Sequence, residues 1–177
     1  MLWIFSIGYI GRLSQEKGIE FLIEAFRKST ISRSYRLQIA GTGNNEYETF
    51  LKDKYSSDNI SFVGHKKTKE FFDTIDLLVV PSLWNEPFGR VVIEAYASNC
   101  PVFMSMNGGL KELQVDGISW CFDTQSTSTL VHLFNDFANS RMVIIDELFS
   151  NVLSQYCQQV ITGKYLHLFK EVIKNRK

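Results

Sequence analysis

The run Asp76-Leu77-Leu78-Val79-Val80 constrains this chain more than any other stretch, because four apolar side chains follow one another without a polar interruption and Pro81 then ends the run. A strand with one wet face alternates apolar and polar residues, whereas a strand covered on both faces of a parallel sheet does not. Proline stops such a strand because it has no N–H for the ladder. A parallel sheet needs long crossovers, and the sequence supplies them on both sides of this run. Residues 2–9 are rich in β-formers and are followed by Gly8 and Gly11, then by Ile19, Leu22, Ile23 and Phe26 at helical i, i+3, i+4, i+7 spacing. The unit recurs as a strand over 35–40, a helix that Asn44 or Asn45 can cap and that runs through Tyr55, and a strand over 60–63. A brief helix is expected over 67–75, and after the loop 82–88 another over about 89–98. Then come a strand over 101–104, a permissive turn at Gly108-Gly109, a helical turn over 110–115 and a strand over 119–122. Beyond Asp123 the pattern is helical: Thr127 or Ser128 can cap one helix, 141–155 form a second, and Leu166, Phe169 and Ile173 give the last an apolar stripe.

Strands alternating with helices predict an α/β fold with a doubly wound parallel sheet of about six strands and right-handed crossovers. The reading gives a single domain over 1–177, with an α/β core over 1–123 and helices over 124–177. Its 177 residues, 45% of them hydrophobic, suffice for a core without disulfide or metal staples. The 19 Lys and Arg balance the 19 Asp and Glu, so no broad field draws the chain to nucleic acid, and any anion site is local. Cys100, Cys121 and Cys157 are widely spaced and odd in number, which argues against a disulfide framework or zinc site and for a reducing, cytoplasmic setting. The apolar start lacks a basic flank and stops at Gly11-Arg12, too short to span a bilayer.

Ligands of open α/β sheets bind outside the carboxyl ends of the strands, which restricts the candidates to the loops at 8–17, 41–45, 64–67, 81–89 and 105–109. Arg12 and Lys17 flank a flexible segment between Gly11 and Gly18, two cations on a backbone that can approach an anion. A helix opening near Gly89 adds free N–H groups and partial positive charge, which together suit a diphosphate. Glu86 and Glu94 would repel phosphate but accept well from sugar hydroxyls, and Glu94 lies among apolar neighbours where a carboxylate needs a partner or ligand. If these loops meet, the composition points to a diphosphate flanked by sugars. Several features have plainer readings. Gly41-Thr42-Gly43 lacks the third glycine of a dinucleotide fingerprint and reads as a turn near the ligand. Gly163-Lys164 lacks the P-loop pattern, His65 is as readily exposed as placed beside a base, and Lys66, Lys67 and Lys69 read as a solvated face. For Trp84, packing on its own loop ranks ahead of packing over a sugar.

The blocks Gly11-Arg12-Leu13-Ser14-Gln15-Glu16-Lys17-Gly18, Pro81-Ser82, Glu86-Pro87-Phe88-Gly89-Arg90-Val91-Val92-Ile93-Glu94-Ala95, and Gly108-Gly109-Leu110-Lys111-Glu112-Leu113 with Asp116-Gly117 resemble the carboxyl-terminal half of family 4 glycosyltransferases of the GT-B fold. The Glu86 to Glu94 spacing matches that family's E-x7-E signature, and the resemblance covers about 2–123. It implies a Rossmann-like domain that binds a UDP- or GDP-sugar as donor substrate, with no other cofactor and no metal, and that transfers a hexose with retention. Arg12 and Lys17 would hold the diphosphate, Glu86 the transferred sugar and Glu94 the ribose. Backbone N–H groups at Phe88, Gly89, Arg90 and Val91 would meet sugar or phosphate oxygens, and Gly11, Gly41 and Gly64 would border the nucleotide. A glycan or glycolipid acceptor would be held by an amino-terminal domain absent from this chain, and the whole protein could associate peripherally with the inner face of the membrane. Asn99-Cys100-Pro101 replaces the family's Gly-x-Pro, a change that Asn tolerates because it enters the left-handed region. A nucleotide-sugar epimerase of the same fold and a non-catalytic nucleotide-sugar-binding module are the alternatives; the Glu86 and Glu94 pair disfavours the epimerase.

Overall fold

A computed structural model describes residues 5–139 and 144–174. Its strands are β1 (Phe5–Ile10), β2 (Tyr35–Ala40), β3 (Ile60–Gly64), β4 (Leu77–Val80), β5 (Val102–Ser105) and β6 (Ser119–Phe122). They form one six-stranded sheet in the order β3-β2-β1-β4-β5-β6, and every pairing is parallel. The helices are α1 (Ile19–Lys28), α2 (Asn45–Tyr55), α3 (Thr68–Phe72), α4 (Arg90–Tyr96), α5 (Thr127–Ala138), α6 (Glu147–Ser154) and α7 (Gln158–Lys174).

The pleat of β4 explains its sequence. Leu77 and Val79 enter a core with Ile19, Leu22 and Phe26 of α1 and with Leu130 and Phe134 of α5, while Leu78 and Val80 enter a second core with Val92 and Tyr96 of α4 and Phe149 of α6. Successive side chains thus go to opposite faces, and both faces are covered. Tyr96 is fully buried and ties three elements: its hydroxyl donates to the Leu113 carbonyl at 2.7 Å and is hydrogen-bonded with the Ser119 hydroxyl at 2.8 Å.

The expected doubly wound fold is therefore present, with shifts at element ends. The helix expected over 89–98 is only α4, and Asn99 beyond it has φ 52°, the left-handed turn its short polar side chain tolerates. Asn44 caps α2 by accepting from the Glu46 N–H, whereas α5 is capped by Ser126, not Thr127 or Ser128, through the Ser128 N–H. The helical turn expected over 110–115 is present as a 3-10 helix over Gly109–Leu113. Residues 2–4 of the expected first strand and 141–143 of the expected sixth helix lie outside the described residues, and α6 begins only at Glu147, after Asp146 as N-cap. The apolar stripe of α7 faces outward, with no residue of the helix buried. No described helix is long and apolar enough to cross a membrane.

Candidate functional site

Strand order reverses between β1 and β4, and a crevice opens there at the carboxyl ends of the strands. It holds a cleft of about 740 Å³, bounded by the loop after β1 on one side and by the segment from β4 to the first turn of α4 on the other.

Backbone contacts fix these loops to each other. The first loop is tied to the one after β2 by Gly11 N–H to the Ala40 carbonyl at 3.1 Å and Leu13 N–H to the Thr42 carbonyl at 2.9 Å. It is tied to the loop after β4 by Leu83 N–H to the Glu16 carbonyl at 2.8 Å. Gly18 sits at φ 70°, and a Cβ there would collide with the Pro81 carbonyl oxygen, so the two loops approach as closely as they do because position 18 has no side chain. Gly108 plays the matching part on the far side: at φ 65° a Cβ there would collide with the Glu86 backbone, and the Gly109 N–H donates to the Glu86 carbonyl at 2.7 Å. Asn107 Nδ2 and Ser105 Oγ both donate to the Ser82 carbonyl, at 2.7 and 2.8 Å.

This frame carries an unequal set of charges. Lys17 Nζ donates to Glu86 Oε1 at 2.5 Å, and Ser82 Oγ donates to the same oxygen at 2.6 Å. The Lys17 ammonium also lies 5.0 Å from the centroid of the Trp84 ring. Burial pushes the Glu86 carboxyl up, but the bonds from Lys17 and Ser82, the nearby Trp84 indole N–H and the Lys17 charge together hold it below the usual carboxylate range. Glu86 is thus an ionised carboxylate in a site that leaves only 13% of its side chain exposed. Arg12 is exposed and, among the described residues, makes no ion pair, while its carbonyl accepts from the Tyr9 hydroxyl at 2.7 Å. Burial first, and the negative Glu86 second, push the Tyr9 phenol well above its ordinary value, so Tyr9 acts as a neutral donor.

Of the expected site residues, Gly11, Arg12, Lys17, Glu86, Phe88, Gly89, Arg90 and Val91 all line this one cleft. The start of α4, at Gly89 to Val91, borders the same space, and a helix start carries partial positive charge. Gly41 lines an adjoining recess of about 340 Å³ with His65 and Lys66, and Gly64 supports it by accepting the Gly41 N–H at 2.8 Å. Glu94 is not brought into the cleft. It borders a neighbouring recess of about 570 Å³ with Tyr156 and Tyr165, 3.8 Å from the Arg90 guanidinium. Trp84 meets Lys17 of the other loop through its ring face while its indole N–H lies near Glu86 of its own loop. Sequence reasoning gave no role to Ser82 or Tyr9. Ser82 carried a usable signal, a hydroxyl directly after the strand-ending proline and four residues before Glu86; Tyr9 carried none beyond its place at the end of β1. Chemically, among the described residues, the cleft offers the guanidinium of Arg12 without an ion pair, the Lys17 ammonium engaged with a carboxylate, a helix start and oxygens that accept from hydroxyls, a combination suited to an anion joined to a polyol.

The profile of the family described as "Glycosyl transferases group 1" matches residues 5–151. An uncharacterised glycosyltransferase of Methanocaldococcus jannaschii is 30% identical over 175 residues, covering 92% of this chain and 44% of that protein. The lipopolysaccharide 1,2-N-acetylglucosaminetransferase of Salmonella typhimurium is 28% identical over 184 residues, covering 94% of this chain and 47% of its own length. The chain therefore spans about half the length of these curated relatives. Among solved structures, a glycosyltransferase from Rickettsia africae superposes with a TM-score of 0.81 at 20% identity, covering 97% of this chain and 48% of that one. Anabaena HepE, crystallised in complex with UDP, superposes with a TM-score of 0.78 at 20% identity, covering 94% and 49%. The fold is thus that of a Rossmann-like domain of GT-B type.

Proposed function

We propose, from the premise that this chain belongs to the group 1 glycosyl transferases, that it is the nucleotide-sugar-binding, carboxyl-terminal half of a two-domain family 4 hexosyltransferase. The observation that carries the reading is the convergence of Arg12, Lys17, Glu86 and the start of α4 on one cleft. The donor is a UDP- or GDP-sugar. Its diphosphate lies against Arg12, Lys17 and the amides at Phe88 to Val91, whose charges and dipoles stabilise the departing nucleotide. Glu86, held ionised, accepts from hydroxyls of the transferred sugar, and Ser82 keeps its carboxylate aimed while Lys17 turns to phosphate. Glu94 takes the ribose from the recess it shares with Tyr156 and Tyr165, with Gly41 and Gly64 bordering the base.

Positioning and electrostatics carry the transfer, without a metal ion and with retention at the anomeric carbon; no side-chain nucleophile of this chain is required. The UDP bound to HepE and the transferase names of the curated relatives support a nucleotide-sugar donor. The acceptor, a glycan or glycolipid, is held by a second domain, and the whole protein works in the cytoplasm, peripherally at the membrane.

Calorimetric titration of UDP and of GDP into the chain, and into its Lys17→Ala and Glu94→Ala variants, tests the reading. Binding of one nucleotide with micromolar to millimolar affinity is expected, weakened about tenfold or more by Lys17→Ala, as for loss of a charged hydrogen bond worth about 1.5–3 kcal/mol. Equal affinity in all three proteins overturns it.

A further inference from the structure

Lys17 is held on two sides that differ in kind. Its ammonium bonds the Glu86 carboxylate at 2.5 Å and rests 5.0 Å from the centroid of the Trp84 ring. Glu86 can keep Lys17 only while no other anion competes for it. A diphosphate in the cleft competes directly for the ammonium's charge and N–H donors and draws it away from the carboxylate. The ring face attracts the cation through its quadrupole and not through a net charge, so it goes on holding Lys17 without repelling phosphate. Trp84 is 43% exposed and lines the same cleft, so its ring stands beside the route between the two anionic partners. It also comes from the loop after β4 while Lys17 comes from the loop after β1, and those loops are locked by the Glu16 to Leu83 backbone bond.

We infer that Trp84 is a positioning residue for Lys17: its ring keeps the ammonium within reach of both Glu86 and the donor's diphosphate, so that exchange of partners needs a small shift and not a search. The inference rests on the donor-binding reading above. It gives the ring face, rather than the indole N–H, the deciding part. It also separates Trp84 from a platform for sugar, because Lys17 occupies a face of the ring.

The test is a double-mutant cycle read by binding of UDP, GDP and inorganic pyrophosphate. Trp84→Leu should weaken binding about threefold to tenfold. Trp84→Phe, which keeps a ring face and loses the N–H, should restore most of it. In the Lys17→Met background, Trp84→Leu should have no further effect. Thermal melts of the Trp84 variants should coincide with that of their own background, wild type or Lys17→Met, since the indole is 43% exposed. Equal weakening by the Leu and Phe variants, or the same loss in the Lys17→Met background as with Lys17 present, overturns the role of Trp84 while leaving donor binding in place. If the wild-type chain binds none of the three probes, the donor-binding reading fails and the inference fails with it. In the unliganded chain, the indole N–H resonance that Trp84→Phe abolishes should move in Lys17→Met; an unmoved signal overturns the contact itself.

Discussion

Glu86 is an acid that its surroundings keep ionised against its burial, and this has a signed effect on stability. Its folded pKa lies below the unfolded value, so its contribution is fully present above the usual glutamate range and is lost as pH falls through the lowered folded value. Urea unfolding from pH ~6 down to pH ~3 should therefore show a steeper fall for the wild type than for Glu86→Gln; parallel curves would contradict it. Gly18 sets the geometry that makes the Lys17 contact possible. Gly18→Ala should cost about 1–3 kcal/mol through its positive φ and the collision with the Pro81 carbonyl, lowering the melting temperature and weakening UDP or GDP binding together. At this scale the charges themselves could be read from the sequence, because Arg12, Lys17 and Glu86 are polar residues on loops with no packing duty. That Lys17 and Glu86 form a pair could not be read. They stand 69 residues apart, and their meeting depends on two backbones touching at Gly18 and Pro81.

Elements were legible where burial was extreme. The run through β4 announced a strand covered on both faces, and its side chains do divide between two cores. Ends were less legible because neighbouring residues offer the same chemistry: Ser126, Thr127 and Ser128 can each cap a helix, and only the backbone path selects Ser126. Glu94 shows the limit on the site. Spacing set it beside Glu86, but its place on α4 puts it on a neighbouring recess next to Arg90. Tyr96→Phe takes the donor from the Leu113 carbonyl in the core, and should cost about 1–3 kcal/mol in urea unfolding without altering nucleotide affinity. In hydrogen exchange, α7 should be among the first helices to exchange and β1 and β4 among the last strands, because no residue of α7 is buried while both strands are central in the sheet.

For the molecule as a whole, one sheet with its ligand-facing loops gathered at the carboxyl edge is what the alternation of strands and helices foretold; the volume and walls of the cleft were not, since they arise from loop-to-loop contacts. If the proposed division of labour holds, this chain binds donor nucleotide but transfers no sugar to added glycan, which assay with a radiolabelled donor would show. Saturating nucleotide at about 100 times its Kd should then add about 2.7 kcal/mol to stability. The reversal of strand order at β1 and β4 also has a kinetic side. Strands β1 to β3 pair with near neighbours in the chain, but β1 meets β4 only after the whole stretch between them has been gathered in, and closing so large a loop is slow. During refolding, pulse labelling should find the amides of β1 and β2 protected before those of residues 11–18 and 81–89. On that order the cleft would be walled only after β1 and β2 have paired, so a chain caught early in refolding should not yet hold nucleotide.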